Sequence, residues 1–219
     1  MEIYPWFTKQ GVWLNKPFFV IRNFGFMLIT YIIARRFAQL SLTNNDRKNI
    51  YAVLYLLFFV FSQSLTAFDL VMSLEAHWYS TLFGGYFFIE SMYSGLACGG
   101  VIFFILSKIQ KDDFSKTDNK KTLYDLATFI FGFSLLCVGQ LYTQLLVIWY
   151  GNLPEETSFI IKRLGTSPTK EFLYLIPVLL FFIPFITFLS RRAKRNPTTV
   201  FIISVIILIG IFIERLCYI

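Results

Sequence analysis

The sequence predicts an all-α integral membrane protein of six transmembrane helices, with spans one to four forming a four-helix bundle and the last two a peripheral helix pair. Three observations predict it. Of 219 residues, 56% are hydrophobic and 20% aromatic, with 27 Phe, more apolar side chain than one water-soluble core hides. Several apolar runs reach the roughly 20 residues that a helix needs to cross a hydrocarbon layer about 30 Å thick. The charged residues crowd into the links between those runs. The net charge of +7 therefore reflects membrane topology and gives no reason to expect a nucleic-acid partner.

The six spans are read as about 17–38, 50–67, 81–107, 123–149, 172–189 and 198–216, a single transmembrane domain over 1–219. Pro17 opens the first, where its missing N–H costs nothing, and Arg35 and Arg36 stand near its end. SLTNNDRKN links it to the second, and KIQKDDFSKTDNKK links the third to the fourth. Spans one to four carry most of the polar residues, whereas five and six read as nearly plain Phe, Leu and Ile; that contrast is the basis for the four-plus-two grouping.

Counting Lys and Arg orients the chain. The links after spans one, three and five hold thirteen, and the opposite side holds five. The positive-inside rule then puts both termini outside the cytoplasm. The loops Asp69 to Ser80 and Tyr150 to Lys170 fall on the outer face, where Trp78, Tyr79, Trp149 and Tyr150 suit an interfacial aromatic belt. The opening MEIYPWFTKQGVWLNKP lacks the basic-then-apolar pattern of a cleaved signal peptide, so insertion is expected to be directed by the spans.

Polar residues inside the membrane are costly and are the functional candidates. Arg22 lies five residues past Pro17, roughly 8 Å along a helix, within reach of the surface by snorkelling. Span two carries Ser62, Gln63 and Thr66 ahead of Asp69, with Ser62, Thr66 and Asp69 spaced to share a face. Glu90 lies nine residues past Thr81, roughly 14 Å deep. Gln140, Thr143 and Gln144 form a stripe near the outer end of span four. Because the spans alternate in direction, all of these fall in one half of the membrane, the outer half by charge counting.

Glu90 is the sharpest of them. Tyr86, Tyr93 and Ser94 stand at i−4, i+3 and i+4, so hydroxyls are placed to hydrogen-bond a carboxyl able to exchange a proton. Paired with Arg22, the same acid would merely tie helices together; the sequence leaves both readings open. Ser91, Gly95 and Gly99 recur at four-residue intervals, a small-xxx-small face expected to let another helix approach closely.

Other chemistries find little support. The single histidine, His77, beside Glu75 in the loop, cannot supply a bis-histidine haem site, and it reads as a proton-transfer or interfacial residue. Cys98, Cys137 and Cys217 lie singly in apolar runs without CxxC spacing and read as small buried packing residues. Nucleophile triads, phosphate loops and nucleic-acid motifs do not occur.

The segments SLTAFDLVMSLEAHWYSTLFGGYFF, QLLVIWYGNLPEET with the following IIKRLG, and IPFITFLSRRAKRNP closely resemble the C-terminal part of the ActF-type, NrfD-like membrane component of bacterial alternative complex III. They occur in the family's order across nearly the whole chain. The resemblance implies an integral membrane subunit of a respiratory quinol:cytochrome c oxidoreductase, without a redox cofactor of its own. It would support quinol-linked proton translocation and complex assembly in a bacterial inner membrane. It further implies other membrane and periplasmic subunits as partners, with haem c and iron-sulfur clusters held by those partners and quinol and lipid nearby. On this likeness Asp69, Glu75 and His77 and the turn of Pro154, Glu155 and Glu156 are matched outer-loop positions. Ala76 stands where the family's EPHW has proline, and the ending IERLCYI is less aromatic than usual. The candidate set is thus Glu90, Asp69, His77, Glu75, Arg22, Tyr86 and Tyr93 for proton transfer, with Gln63, Thr66, Gln140 and Gln144 as polar lining. A purely structural scaffold or a small independent transporter are the competing readings.

Overall fold

A computed structural model describes residues 15–74, 78–109, 117–165, 167 and 169–218, and every regular element among them is helical. Among the described residues, six helical stretches are long and apolar enough to cross a membrane: Lys16–Leu42, Lys48–Leu74, Leu82–Ile109, Asn119–Gly151, Thr169–Leu189 and Pro197–Tyr218. Large side chains such as Ile21, Phe24, Leu28, Phe129 and Phe212 point outward, as expected of helices whose surroundings are lipid rather than water.

The chain divides into two compact units, Met1–Asp69 and Leu70–Ile219. The first is a helical hairpin of α1 (Lys16–Leu42) and α2 (Lys48–Thr66). Pro17 sits in the first turn of α1, and the Thr43 N–H closes its end on the Gln39 carbonyl at 3.1 Å. Asn44 then takes φ 50°, a left-handed conformation that asparagine tolerates better than most residues. Asn45 Oδ1 accepts the Arg47 N–H at 3.0 Å to launch α2. Phe37 stacks on Tyr55, and Tyr55 on Phe59. Beyond Thr66 the helix continues as a π turn, Ala67–Val71, and a 3-10 turn, Met72–Leu74. The second span therefore runs past the expected end at Ala67, and Asp69 belongs to a helical turn rather than to the loop expected from the sequence.

The second unit contains α3 (Leu82–Ile109), α4 (Thr117–Gly151), α5 (Pro154–Gly165), α6 (Thr169–Pro177), α7 (Ile183–Leu189), the short α8 (Arg191–Lys194) and α9 (Pro197–Tyr218). α6 and α7 are joined by the π turn Val178–Phe182 into one span. α3 packs against both α4 and α9. On α9 the buried residues Val200, Ile203, Ser204, Ile207, Gly210, Glu214 and Cys217 form one face, the 3.6-residue stripe of a helix that must hide one side. Its partner stripe on α3 runs from Phe83 through Tyr86, Glu90, Tyr93 and Ala97 to Gly100. Phe131 of α4 stacks on Phe185 of α7, and Phe104 of α3 on Phe201 of α9.

This arrangement corrects the expected grouping inside the six-span architecture. Spans five and six are not a peripheral pair: α9 is the most enclosed of the six spans and shares its core with α3. Spans one and two form a unit of their own. Apolar content alone made span six look plain, but its buried face carries Ser204, Gly210 and Glu214, the small and polar residues that mark helix contacts in membranes.

Two further expectations change. The Pro154, Glu155 and Glu156 turn is the first turn of a helix, α5, with Lys162 and Arg163 in its last turn; proline at the start and this charge order are what a helix favours. The close helix approach on α3 uses a different glycine from those expected. A Cβ at Gly95 would meet nothing within 4 Å, and one at Gly99 would make ordinary contact with Leu126 at 3.7 Å. A Cβ at Gly100 would collide with Ser204 Oγ of α9, and one at Gly210 would stand 2.7 Å from Leu180 Cδ2. The Ser91, Gly95, Gly99 face lies on nearly the opposite side of α3 from the buried stripe of Glu90, Tyr93, Ala97 and Gly100, and Gly95 is exposed there.

Candidate functional site

In the first unit Arg22 and Asp69 form an ion pair in which both side chains are almost wholly buried. Arg22 Nη2 and Nε both donate to Asp69 Oδ2, the latter at 3.1 Å. Asn23 Nδ2 adds a third hydrogen bond to the same oxygen at 2.9 Å, and Phe18 lies under the guanidinium. Arg22 was expected to snorkel or to serve Glu90; the π turn at Ala67–Val71 instead turns Asp69 inward to meet it. Thr66 Oγ1 donates to the Ser62 carbonyl at 2.8 Å, and Gln63 is half-buried beside them on α2.

The second unit holds the larger cluster. Glu90 on α3 is fully buried, and Arg215 Nη2 of α9 donates to its Oε2. The Arg215 guanidinium lies 3.6 Å from the centre of the Phe87 ring, a cation–π contact that adds to the ion pair. The neighbouring α9 residue, Glu214, is 2% exposed. Its Oε1 accepts hydrogen bonds from the phenols of Tyr86 and, at 2.8 Å, Tyr218. Glu90 and Glu214 approach closely enough for a hydrogen bond between their carboxyls when one carries a proton, and neither Glu90 Oε1 nor Glu214 Oε2 accepts a bond from any other group.

Tyr86, Glu214 and Tyr218 also line a cavity of about 410 Å³. Its walls are mainly apolar, with Phe83, Leu141, Ile148, Leu173, Ile176 and Pro177 among them, and Gln144 and Arg163 add polar edges. Gln144 Oε1 accepts a hydrogen bond from Ser80 at 2.9 Å. Arg163 of α5 donates to the carbonyls of Cys217 at 2.8 Å and Tyr218 at 3.4 Å, holding the end of α9 that carries the cluster. Those carbonyls belong to the last turn of a helix, where no intrahelical donor remains and a basic side chain is favoured.

The hydroxyls flanking Glu90 do not bind it. Tyr86 reaches across to Glu214, Ser94 Oγ donates to the Ser91 carbonyl at 3.2 Å, and Tyr93 donates to the Leu180 carbonyl at 2.9 Å. Pro184, at the α-helical partner position four residues beyond Leu180, has no N–H to offer that carbonyl, and the Tyr93 phenol gives it a donor. Gln140 Oε1 is buried without a partner, while Thr143 is exposed and donates to the Gly139 carbonyl. Pro154 is exposed and Glu156 half-buried on α5. Glu75 and His77 lie outside the described residues, as does the side chain of Glu155. Cys137 and Cys217 are buried as expected of packing residues, but Cys98 is exposed, on an outward face of α3.

Glu214, Arg215, Tyr218 and Arg163 are the members that sequence reasoning passed over. The signal for the first two was present: a glutamate and an arginine close the sixth apolar run, and intramembrane charge had singled out Glu90 by the same reasoning. Among the described residues, no group of three or more His, Cys, Asp or Glu is placed to hold a metal ion. No protein-family model matches the chain, and the search of curated proteins finds no match.

Proposed function

We propose that this chain is an integral membrane subunit of a respiratory quinol:cytochrome c oxidoreductase of the alternative complex III kind, and that it supports quinol-linked proton movement through the Glu90–Glu214 pair. The observation that carries the reading is a pair of buried carboxyls served by one guanidinium, with one of the carboxyls at the wall of an apolar cavity. Two carboxyls and one arginine are electrically neutral with one proton aboard, and a buried cluster strongly favours neutrality. Such a pair takes up and gives up protons as a unit. Glu214, held through Oε1 by two phenols, lines the cavity and is within hydrogen-bonding reach of Glu90, so a proton received at the cavity wall can be shared with the second acid. The cavity is of the size and composition that small amphiphilic ligands use, and a quinol ring with hydroxyl groups is such a ligand. Glu90, behind it and paired with Arg215, is the next acceptor.

In this reading haem c and iron-sulfur clusters reside in neighbouring subunits, the membrane is the bacterial cytoplasmic membrane, and both termini face the periplasm. The Arg22–Asp69–Asn23 group favours a second, structural role for the first unit, because Asp69 Oδ2 already accepts three hydrogen bonds, which suits a helix lock.

The test is Glu90→Gln and Glu214→Gln in the assembled complex, each of which retains hydrogen-bonding capacity and removes titration. Both are expected to depress quinol oxidation or proton release, with assembly unchanged. Unaltered rates in both variants would leave the cluster as packing. Purification of the tagged protein in mild detergent is expected to bring c-type haem absorbance with it; a colourless, partner-free protein would overturn the respiratory assignment.

A further inference from the structure

We propose that the turn between α1 and α2 is a binding site for the phosphate of an anionic phospholipid headgroup. A pocket of about 420 Å³ is lined there by Arg36, Gln39, Leu40 and Thr43 of the α1 end and by Arg47 and Tyr51 of the α2 start. The four α1 residues recur at i, i+3, i+4 and i+7, so they stand on one helix face. Arg47 and Tyr51, four residues apart, come from the opposing helix. Two guanidiniums, a phenol, an amide and a hydroxyl thus converge on one hollow. Guanidinium forks suit phosphate, since they offer parallel N–H donors to two oxygens.

Charge balance points the same way. Among the described residues no carboxylate pairs with Arg36 or Arg47, and Asp46, the acid of this turn, does not line the pocket. The start of α2 adds the positive partial charge of a helix N-terminus. The site therefore holds excess positive charge that an anion would neutralise.

A lipid fits better than a soluble phosphate because of where the pocket lies. It sits at the mouth of two membrane-crossing helices, on the side of the chain with the Lys and Arg excess, where anionic headgroups concentrate. A second hollow of about 370 Å³, lined by Tyr31, Ile32, Arg35, Arg36 and Gln39, shares two residues with the first. It extends down α1 toward the apolar span, the direction an acyl chain takes from its phosphate. Leu42, Ile32 and Ile50 are exposed around it.

The experiment uses the full chain in mild detergent and measures binding of phosphatidylglycerol, phosphatidylcholine and inorganic phosphate by native mass spectrometry and by lipid-dependent thermal shift. Phosphatidylglycerol is expected to bind and stabilise, phosphatidylcholine to do so weakly, and millimolar inorganic phosphate neither to stabilise the protein nor to displace the lipid. The double variant Arg36→Gln/Arg47→Gln should weaken phosphatidylglycerol binding about 30-fold, roughly fivefold for each basic residue lost. Arg191→Gln/Arg192→Gln, exposed and outside the pocket, should leave it unchanged. Should the glutamine variant fold poorly, Arg36→Lys/Arg47→Lys keeps the charge without the forks and is still expected to weaken binding measurably. Equal binding of both lipids, equal loss in the Arg191/Arg192 variant, or undiminished binding in both pocket variants would overturn the site. Displacement by inorganic phosphate would reassign it to a soluble anion and overturn the lipid proposal.

Discussion

Arg215 is the residue on which the buried acids depend, and its position explains why both it and Glu214 were hard to read. The two stand side by side with opposite charges at the end of the sixth apolar run, where a charged pair reads as the point at which a helix meets water. The fold instead packs that end against α3, so that Glu90 and Glu214 are enclosed and Arg215 is only partly exposed. Glu90 was legible from its depth; its partner was not, because periodicity says which residues share a face but not which helix that face meets. The pairing has an energetic consequence. Arg215→Met leaves Glu90 buried without its cation, and removing one member of such a pair costs about 3 kcal/mol. The double variant Glu90→Gln/Arg215→Met removes the orphaned charge and should recover most of that loss. Unfolding of the purified protein in mixed micelles of dodecyl maltoside and sodium dodecyl sulfate measures both; additive losses would mean that the two side chains are not energetically coupled.

Among the elements, the two π turns do the local positioning, and neither was visible in the sequence. A helix with a wider turn looks the same to hydropathy as one without it, yet Ala67–Val71 turns Asp69 inward and Val178–Phe182 meets Tyr93 at Leu180. The prolines of the fifth span were clear enough as interruptions; what could not be read was that a tyrosine on another helix would donate to the Leu180 carbonyl, which Pro184 cannot serve. Tyr93→Phe should cost about 1–2 kcal/mol, the usual range for removing the donor of a buried carbonyl. In a Pro184→Ala background, where residue 184 regains its N–H, the same substitution should cost less than half as much. Tyr93→Phe losses that are equal in the two backgrounds, read by the same unfolding measurement, would show that the phenol acts through packing alone. The amphipathic α5 was missed for a related reason: proline, two acids and a polar stretch resemble a loop until Lys162 and Arg163 are recognised as the last turn of a short helix.

For the whole molecule, the six spans were legible to within a few residues at most ends, because crossing hydrocarbon imposes a length and an apolarity that few other structures share. Their grouping was not, because lipid-facing and helix-facing surfaces are both apolar and differ chiefly in small and polar residues such as Ser204 and Gly210. Orientation rests on a separate property, the distribution of Lys and Arg, and it can be tested directly. Ser167 and Thr198 are both exposed and flank the fifth span, Thr169–Leu189, so they must lie on opposite sides of the membrane if that span crosses it. After the three native cysteines are replaced by alanine, Ser167→Cys should react with an impermeant maleimide in intact cells, and Thr198→Cys only after permeabilisation. The reverse pattern would invert the topology while leaving the alternation of spans intact, and it would move the Glu90–Glu214 pair to the cytoplasmic half. Labelling of both sites from one side would remove the fifth span from the membrane. Only the expected pattern puts the acids in the outer half, as the proposed release of protons on that side requires.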